Sequence, residues 1–377
     1  MSLDYDVIVA GLGAMGSATT AQLAANGAQV LGLDKFQPPH NFGSSHGLSR
    51  IIREAYFEHP MYVPLVQRAY ELWSKLERES SRTLLSQTGG LMLGLPDGVL
   101  VTGARRSAEF HSLPHKILSA AEIRRQFPAF EPPQKMVAVW EPRAGVLFPE
   151  LAIHTQLELA IRHGAVLKFN QPITKWEVLT QGMRVHTPNG SYTARWLVIS
   201  SGAWLSSLVP ELQLPLKVER QVLFWFEPKS SAQIFLPATC PIYICEHEPR
   251  RFFYGFPDLG DGVKIGVHHE GAGADPDNLD RIVKESEIDL ARRLLESFLP
   301  RAAGRLKSLA VCMYTNTPDE HFVLDFHPKY PQVLIVSPCS GHGFKFSPVI
   351  GEIAANLVTG QPTRFDLSLF RLSRFAA

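Results

Sequence analysis

Cysteine is scarce in this chain, and its scarcity limits the chemistry that the protein can use. Only four cysteines occur among 377 residues, and they lack the spacing of a metal site. They are also too few for a disulfide framework, so we expect a protein of a reducing compartment. The fourteen histidines contain no His-Glu-x-x-His or comparable spacing, and we therefore predict no bound metal.

A strong charge of one sign and long apolar runs are also missing. Lysine and arginine total 37 against 36 aspartate and glutamate residues, so the formal net charge is only +1. This balance argues against a nucleic-acid or membrane-surface partner. No apolar run is long enough to span a bilayer, and the first residues lack the pattern of a secretory signal. We expect a cytoplasmic protein that binds neither nucleic acid nor membrane.

The composition that is present is typical of a compact enzyme with more than one core. Apolar residues make up 45% of the chain and charged residues 19%, a balance found in ordinary globular proteins. A length of 377 residues exceeds what a single core usually supports, so two domains are expected.

The start of the chain has the pattern of a parallel strand–helix–strand unit. An apolar run at residues 6–10 predicts a buried strand, because parallel strands covered on both faces are apolar throughout. Residues 14–26 predict a helix that Gly27 ends. Residues 29–33 predict the second strand of the unit.

Three glycines of this unit have the spacing of a dinucleotide-binding turn. Gly11, Gly13 and Gly16 form Gly-x-Gly-x-x-Gly between the first strand and the helix. Such glycines allow a tight turn, a close approach of the backbone to a pyrophosphate and close helix packing. Asp34 closes the second strand, where its carboxylate can accept hydrogen bonds from ribose hydroxyls. The unit predicts dinucleotide binding but does not separate FAD from NAD.

Similar elements return in the middle and at the end of the chain. Asn189-Gly190 predicts a hairpin because this pair accepts positive φ. Ser347 is expected to cap a last helix that Gly360 ends. Further strands are predicted at 166–169, 183–187, 192–198 and 333–337, and further helices at 62–76, 151–163 and 279–298.

A segment with a different sequence pattern lies between these elements and divides the chain. Short strand-like runs between residues 217 and 268 are separated by Gly, Pro and Asp turns, which favours a mainly antiparallel sheet. The predicted fold class is α/β. Residues 1–85, 145–215 and 309–377 are assigned to a Rossmann-like FAD-binding domain similar to the glutathione-reductase type, and residues 86–144 and 216–308 to an inserted α+β substrate domain.

Three later segments carry the more specific signals. A glycine-rich loop leads to Arg50 and Arg53, which would share one side if this segment were helical. By themselves they are typical of a solvated surface pair. Cys312 stands in Ala-Val-Cys-Met-Tyr-Thr, followed by Asp-Glu-His-Phe, and alone is typical of a buried inert thiol. Lys345 stands in Ser-Gly-His-Gly-Phe-Lys-Phe, and alone is typical of a lysine with an exposed ammonium.

Together with the glycine turn, these segments resemble the monomeric sarcosine oxidase and N-methyltryptophan oxidase family over essentially the whole chain. The resemblance implies FAD bonded covalently through the Cys312 thiol to the flavin 8α-methyl group, with neighbouring basic groups that favour the thiolate. It also implies that His46 and Arg50 lie against the flavin. The complete predicted cofactor-binding set is Gly11, Gly13, Ala14, Met15, Gly16, Asp34, Lys35, Ser45, His46, Arg50, Ile173, Cys312, Gly341, Gly343 and Lys345.

The same resemblance implies the catalytic residues. Arg53 and Lys345 would hold a substrate carboxylate, a task for which the planar fork of arginine is suited. Lys264 matches a family lysine beside the flavin that promotes the reaction with oxygen. Residues that match the lining of the family's substrate pocket complete the catalytic set, and they are Tyr254, His268 and Tyr314.

The chain departs from the family pattern at several positions. Ser45 replaces a family histidine, and the bulky Phe57 replaces a small residue near the expected pocket entrance. The second change leaves the size of the substrate open.

The resemblance implies a monomeric FAD-dependent oxidase of a secondary amino acid, with oxygen as acceptor and hydrogen peroxide as product. The carbon–nitrogen bond would be oxidised to an imine that hydrolyses in water. Three alternatives stay open: a flavin-dependent dehydrogenase with another acceptor, a nicotinamide-dependent dehydrogenase that uses the same glycine turn, and a flavin-binding protein without catalytic activity. The sequence does not decide which N-methyl or cyclic amino acid is the substrate.

Overall fold

The fold is taken from a computed structural model that describes residues 3–375. The first two and last two residues of the predicted FAD-binding domain lie outside this range. The strands in chain order are β1 Tyr5–Ala10, β2 Val30–Leu33, β3 Arg50–Ile52, β4 Leu85–Gln87, β5 Gly90–Gly94, β6 Lys116–Ser119, β7 Val137–Glu141, β8 Gly145–Leu147, β9 Val166–Lys168, β10 Lys175–Val178, β11 Met183–Thr187, β12 Gly190–Ile199, β13 Lys217–Phe226, β14 Ile242–Glu248, β15 Arg251–Phe256, β16 Val263–His268, β17 Leu306–Asn316, β18 Val323–Phe326 and β19 Val333–Ser337. The α-helices are α1 Ala14–Ala25, α2 Tyr62–Ser80, α3 Val99–Phe110, α4 Ala120–Gln126, α5 Pro149–Arg162, α6 Leu205–Leu208, α7 Glu285–Phe298 and α8 Ser347–Val358.

The first sheet has the parallel centre that the opening strand–helix–strand pattern predicts. Its order is β10-β11-β12-β1-β2-β9, and β19 pairs with β12 and β18. β1 is parallel to β2 and β12, and β12 is parallel to β19. Val7 and Val9 pack into one apolar core with α1, α5 and α8, whereas Ile8 and Ala10 pack into another. Both faces of β1 are therefore buried, which explains its unbroken apolar sequence.

The second sheet is mainly antiparallel, as predicted. Its order is β17-β13-β16-β15-β14-β5-β7-β6. Only the pairing of β14 with β5 is parallel. A separate core that includes Phe226, Phe253 and Leu295 joins this sheet to α7. A small third sheet, β3-β8-β4, lies apart from both.

The predicted domain boundary at residue 309 divides a strand that the structure keeps whole. β17 pairs with β13 along its length, from Lys217 opposite Asn316 to Phe226 opposite Leu306. Cys312 therefore belongs to a strand of the second sheet, although residues 309–377 were assigned to the FAD-binding domain. The sequence pattern of a single strand does not reveal its pairing partner, which explains this error. The rest of the division into two domains stays a prediction.

Most predicted strands and helices lie within one to three residues of the observed ones, but the start of α7 is wrong. We expected this helix to begin at residue 279, and it begins at Glu285. In the preceding segment Arg281 donates hydrogen bonds to two backbone carbonyls of other elements. The carboxylate of Glu287 accepts a backbone N–H just before the helix, at 2.8 Å. Tertiary contacts and this cap therefore set the start.

Ser347 was also placed wrongly. Ser347 lies inside the first turn of α8 instead of capping it, because a 3-10 turn at Phe344–Phe346 leads directly into the helix. Its hydroxyl has no hydrogen-bond partner among the described residues. Arg50 begins strand β3, so Arg50 and Arg53 do not share a helix.

Candidate active site

One cavity extends from the glycine turn after β1 to strand β17 and the turn before α8. Its lining includes the ends of β1, β2 and β19 of the first sheet and part of β17 of the second sheet. Most of the predicted cofactor-binding residues line it, together with one predicted catalytic residue: Gly11, Gly13, Ala14, Met15, Asp34, Lys35, Ser45, Arg50, Ile173, Tyr314, Gly341 and Gly343. The structure thus brings together residues that are separated by up to 332 positions in the sequence.

The glycine turn is built as the motif requires. Gly11 has a φ of +92°, and a Cβ there would lie 2.8 Å from the carbonyl oxygen of Ser200. Gly16 does not line the cavity. A Cβ at Gly16 would lie 1.7 Å from the carbonyl oxygen of Gly11, so this glycine permits the close packing of α1 against the turn.

Asp34 holds the same turn from the end of β2. One carboxylate oxygen accepts the N–H of Leu12 at 2.6 Å, and the other accepts the N–H of Phe36 at 2.8 Å. Burial raises the pKa of Asp34, while these two N–H groups lower it. Each oxygen has a second lone pair, so the side chain can fix the turn and still accept a ribose hydroxyl.

Lys35 lines the cavity, but its ammonium is already paired. It donates to the carboxylate of Asp277, which also accepts the indole N–H of Trp204 at 2.8 Å. The ammonium lies 5.2 Å from the centre of the Trp204 ring. A segment just before α7 therefore reaches the edge of the cavity, and Lys35 serves this contact.

Several buried polar atoms around the cavity lack a hydrogen-bond partner within the described range of the chain. They are Gln171 Oε1, Ser201 Oγ and Thr315 Oγ1 on the lining, and His46 Nε2 close by. A buried polar group left without a partner costs about 1–3 kcal/mol. The side chains present therefore fit a long polar cofactor such as FAD, whose phosphates, ribityl hydroxyls and ring edge can supply these bonds.

Arg53 is 1% exposed and lies behind this cavity instead of on its lining. One Nη nitrogen donates to both carboxylate oxygens of Glu58 at 2.7 Å, and the other donates to the carbonyl of Ala55 at 3.0 Å. The guanidinium stacks on Tyr56, 4.2 Å from its ring centre, and lies 4.8 Å from that of Phe57. Burial acts to lower the pKa of Arg53, but Glu58, together with Tyr56 and Glu141, raises it further, so the side chain stays a cation.

Lys345 approaches the same tyrosine from the turn before α8 and is 4% exposed. Its ammonium donates to the carbonyl of His342 at 2.6 Å and lies 3.4 Å from the hydroxyl of Tyr56. That hydroxyl is in turn 2.5 Å from His342 Nδ1. Burial, helped by the charge of Arg53, lowers the pKa of Lys345 to about 7. Arg53 and Lys345 form the predicted clamp for the substrate carboxylate, and neither side chain faces bulk solvent.

The three predicted pocket residues form a connected group beside the clamp. The hydroxyl of Tyr314 donates to that of Tyr254 at 3.4 Å and lies 3.3 Å from His268 Nδ1. Burial lowers the pKa of His268 strongly, and the charges of Arg53 and Lys345 contribute to the shift. His268 is therefore a neutral imidazole close to both cations.

Lys264 is fully buried and uses all three of its donors. They reach the carbonyl of Gly47 at 2.6 Å and the carbonyl and hydroxyl of Ser49 at 3.0 and 2.9 Å. The ammonium also lies 4.7 Å from the ring centre of Phe256 and 5.2 Å from that of Trp225. Burial lowers the pKa of Lys264 well below its usual range. The side chain stabilises the loop that leads into β3.

Cys312 is a buried free thiol beside Lys264 and Arg50. Its sulfur is not on the lining of the cavity, but the next residues on β17, Met313 and Tyr314, are. Burial raises the pKa of Cys312, and the charges of Arg50, Lys264 and Arg281 lower it. Three basic groups therefore act on this thiol; Arg50 and Lys264 are among the predicted site residues, whereas Arg281 is not.

His46 lies in the loop before β3, and Arg50 begins that strand. Arg50 donates to the carbonyls of Ser44 and His46 at 2.6 Å and to that of Ser49 at 2.8 Å. Burial and the charge of Arg50 lower the pKa of His46 to about 3, so the imidazole is neutral. Arg50 is thus committed to shaping the loop.

Sequence reasoning did not assign a role to several residues that complete this region. Tyr56 links the two cations, His342 supplies the carbonyl for Lys345, and Glu141 contacts the segment after Arg53. Nothing in the sequence around Glu141 marks it, since it stands 87 positions from its partner Glu54. The only hint for Tyr56 in the sequence is its place between Arg53 and Phe57, where the chain departs from the family pattern.

Residues 3–375 hold no group of three or more His, Cys, Asp or Glu side chains that could bind a metal ion. None of the helices described is both long and apolar enough to cross a membrane.

Comparison with known proteins shows the class to which this fold and cavity belong. The chain matches the family described as FAD dependent oxidoreductase over residues 6–357. It therefore belongs to this family, and the protein is an FAD-dependent oxidoreductase.

Individual relatives make the assignment narrower. A monomeric sarcosine oxidase of Streptomyces avermitilis is 46% identical over 381 residues, which cover 100% of this chain and 99% of that protein. An N-methyl-L-tryptophan oxidase of Yersinia pestis is 36% identical over 380 residues, which cover 99% of this chain and 100% of that protein. Among solved structures, NikD, an unusual amino acid oxidase essential for nikkomycin biosynthesis, has a TM-score of 0.85 at 25% identity, with 97% of both chains covered. The predicted resemblance is confirmed.

Proposed function

We propose that the protein oxidises a secondary amino acid at the carbon next to its nitrogen and reduces oxygen to hydrogen peroxide. The observation that carries this proposal is the pair of buried cations, Arg53 and Lys345, on the ring of Tyr56. Glu58 offsets one of these two charges. The second charge in this apolar region favours a further anion, and an amino acid supplies a carboxylate. The names of the sarcosine oxidase and N-methyl-L-tryptophan oxidase relatives support the same substrate class.

Both cations retain donors for a substrate. Arg53 Nε has no hydrogen-bond partner among the residues described. Lys345 has three donors, and its contacts with His342 and Tyr56 use two of them. A carboxylate bound between them would gain charge-assisted hydrogen bonds, each contributing about 1.5–3 kcal/mol. The clamp would thereby fix one end of the substrate and orient the amine.

The other end of the substrate would lie toward Tyr254, His268 and Tyr314. The amine must be neutral to react, and two features favour loss of its proton: burial, and the positive charge of the clamp. His268 is neutral and adds no charge there. FAD held by the glycine turn, Asp34 and the rest of the cavity lining would supply the acceptor for two electrons and a proton from the substrate, and the means of reducing oxygen. The residues around it position and desolvate the reactants.

Lys264 is the proposed group for the reaction with oxygen. Three oxygen acceptors and two aromatic faces surround its ammonium and stabilise the charged form, while burial lowers its pKa well below the usual range. A buried positive charge stabilises negative charge that develops when oxygen is reduced.

We further propose that FAD is bonded to Cys312. The positive charges of Arg50, Lys264 and Arg281 favour the thiolate that such a bond requires. We also propose a monomer, for which the name of the Streptomyces avermitilis relative is the support. A cytoplasmic location is supported by the four free cysteines.

The test is a peroxide-release screen over N-methyl and cyclic amino acids, repeated with Arg53→Met. Loss of the guanidinium should raise KM about 10- to 100-fold, because it removes one or two charge-assisted hydrogen bonds, and FAD content should stay unchanged. Arg105→Met is the control, since Arg105 is exposed and pairs only with Glu109 one helical turn away. An unchanged KM in Arg53→Met would reject the clamp. If a substrate reduces the flavin but no peroxide is released, the protein is a dehydrogenase and not an oxidase.

A further inference from the structure

A buried carboxylate of the second sheet holds the segment that carries Arg53. Glu141 is the last residue of β7 and is 1% exposed. One of its oxygens accepts the N–H of Glu54 at 2.6 Å, and the other accepts the N–H of Ala55 at 2.8 Å. Two adjacent peptide groups directly after Arg53 are thus fixed by one side chain from a different part of the chain.

The contacts continue from Glu141 to the guanidinium. Ala55 gives its N–H to Glu141 and its carbonyl to Arg53 Nη1, at 3.0 Å. The carbonyl of the next residue, Tyr56, accepts the hydroxyl of Ser107 at 2.5 Å. A shift of the Ala55 peptide would therefore move both the acceptor of Arg53 and the ring on which the guanidinium stacks.

The charged groups around Glu141 are few. Arg53 lies on the side of the clamp, and the phenol of Tyr70 packs nearby with its hydroxyl on the carbonyl of Arg143. Glu54 is also buried, and its Oε1 has no hydrogen-bond partner among the described residues, although the guanidinium of Arg143 lies 3.4 Å away. The two carboxyl groups, Glu54 and Glu141, repel each other when both are ionised.

We propose that Glu141 is a positioning residue for substrate binding: its ionised carboxylate fixes the turn after Arg53 and so aims the guanidinium at the substrate carboxylate. This inference rests on the proposed function, because it assumes that Arg53 binds the substrate. A proton on Glu141 converts one acceptor oxygen into a hydroxyl, which releases one of the two N–H groups. The turn then loses one of its two hydrogen bonds to Glu141, and the guanidinium of Arg53 is held less firmly in position.

The pH at which this happens follows from the surroundings. Burial raises the pKa of Glu141 to about 7, helped by the charge of Glu54, while the two N–H bonds and Arg53 oppose the shift. Glu141 therefore gains its proton as the pH falls through about 7, and carboxylate binding should weaken on that acid side. Lys345, whose pKa is also about 7, loses its charge as the pH rises, which weakens binding on the alkaline side.

The test uses Glu141→Gln in the holoenzyme, with acetate as a carboxylate that cannot be oxidised. Acetate binding is followed through the flavin absorbance spectrum between pH 5.5 and 9, a readout that does not depend on turnover. We expect the Kd at pH 8 to rise about fivefold or more, in line with one weakened charge-assisted hydrogen bond. The increase in Kd as the pH falls through about 7, which is the acid limb of the profile, should disappear. FAD content and the alkaline limb should be unchanged. Glu109→Gln, at an exposed helical position, is the control.

A second variant keeps the inference testable if Glu141→Gln does not fold. Glu54→Gln removes the neighbouring charge and leaves the two N–H bonds of Glu141 in place, so the acid limb should move to lower pH. An acid limb at the wild-type pH in Glu54→Gln, or a wild-type profile in Glu141→Gln, would overturn the assignment. If Arg53→Met also binds acetate normally, the clamp itself is wrong, which distinguishes failure of the proposed function from failure of this inference.

Discussion

The guanidinium of Arg53 and the ammonium of Lys345 share one aromatic ring, at 4.2 and 5.2 Å from the centre of Tyr56. The two residues come from segments almost three hundred positions apart, and both are buried. Glu58 partly offsets their charge through its hydrogen bonds to Arg53. Because like charges repel strongly in an apolar region, this arrangement lowers the pKa of the more easily deprotonated partner, Lys345.

Lys345→Met should therefore change the pH dependence of substrate binding as well as its strength. Lys345 is a cation below pH 7 and neutral above it, since burial and Arg53 lower its pKa to about 7. The variant should bind acetate about tenfold more weakly at pH 6 and lose the alkaline limb of the Kd profile. Lys75→Met, an exposed helical lysine, should behave as wild type. Retention of the alkaline limb would assign that titration to another group.

Phe57 should restrict the size of the substrate. Its ring lies 4.8 Å from the Arg53 guanidinium and 5.5 Å from the ring of Phe252, which in turn faces His268 at 6.5 Å. Phe57→Ala removes part of this aromatic wall. We expect the ratio of kcat/KM for N-methyltryptophan to that for sarcosine to rise about tenfold, as for the gain of a few methylene-sized contacts. The exposed Phe110→Ala should leave the ratio unchanged, and an unchanged ratio in Phe57→Ala would place the entrance elsewhere.

Cys312→Ala should abolish covalent attachment of FAD. Acid precipitation of the wild-type holoenzyme should give a yellow pellet, and the variant should give a colourless pellet with a yellow supernatant. Cys339→Ala is a matched control, because Cys339 is also a free thiol and lines the cavity. A yellow pellet from Cys312→Ala would move the bond to a different residue, and a colourless wild-type pellet would show that no bond forms.

Gly16 and Gly13 should respond differently to alanine. At Gly16 the added Cβ meets the Gly11 carbonyl at 1.7 Å, whereas at Gly13 its nearest neighbour is Ser45 Oγ at 3.9 Å. Gly16→Ala should lower the free energy of unfolding by about 2 kcal/mol or more through overpacking. Gly13→Ala should fold with nearly wild-type stability but bind FAD more weakly, because its methyl group enters the cavity. Thermal unfolding and FAD titration of both variants would check this, and equal stability losses would refute it.

The parts of the fold that could be predicted are those in which local chemistry dictates local structure. The apolar runs of β1 and β19 were found because both faces of a parallel strand are buried. The turn at Gly190 and the helix end at Gly27 were found because both positions have a positive φ, which favours glycine. Strands β11 and β19 agree with prediction at both ends.

The features that could not be predicted depend on distant partners. The start of α7 is set by contacts of Arg281 with other segments, and Ser347 lost its capping role to a 3-10 turn. The pairing of β17 with β13 is likewise decided by the whole sheet. Glu141 acquires its role only because the second sheet brings it to the backbone after Arg53. Resemblance to a family supplied most of the site residues, which composition and spacing alone did not reveal.

The membership of β17 in the second sheet has a mechanical consequence. The glycine turn that faces the cavity follows β1 of the first sheet, whereas Cys312 lies on β17, paired to β13. A cofactor seated on that turn and bonded to Cys312 would act as a cross-link between the two halves of the molecule. Covalently loaded protein should then melt as one cooperative unit at a higher temperature than Cys312→Ala loaded with the same flavin, since the unfolded chain would stay looped through its own prosthetic group.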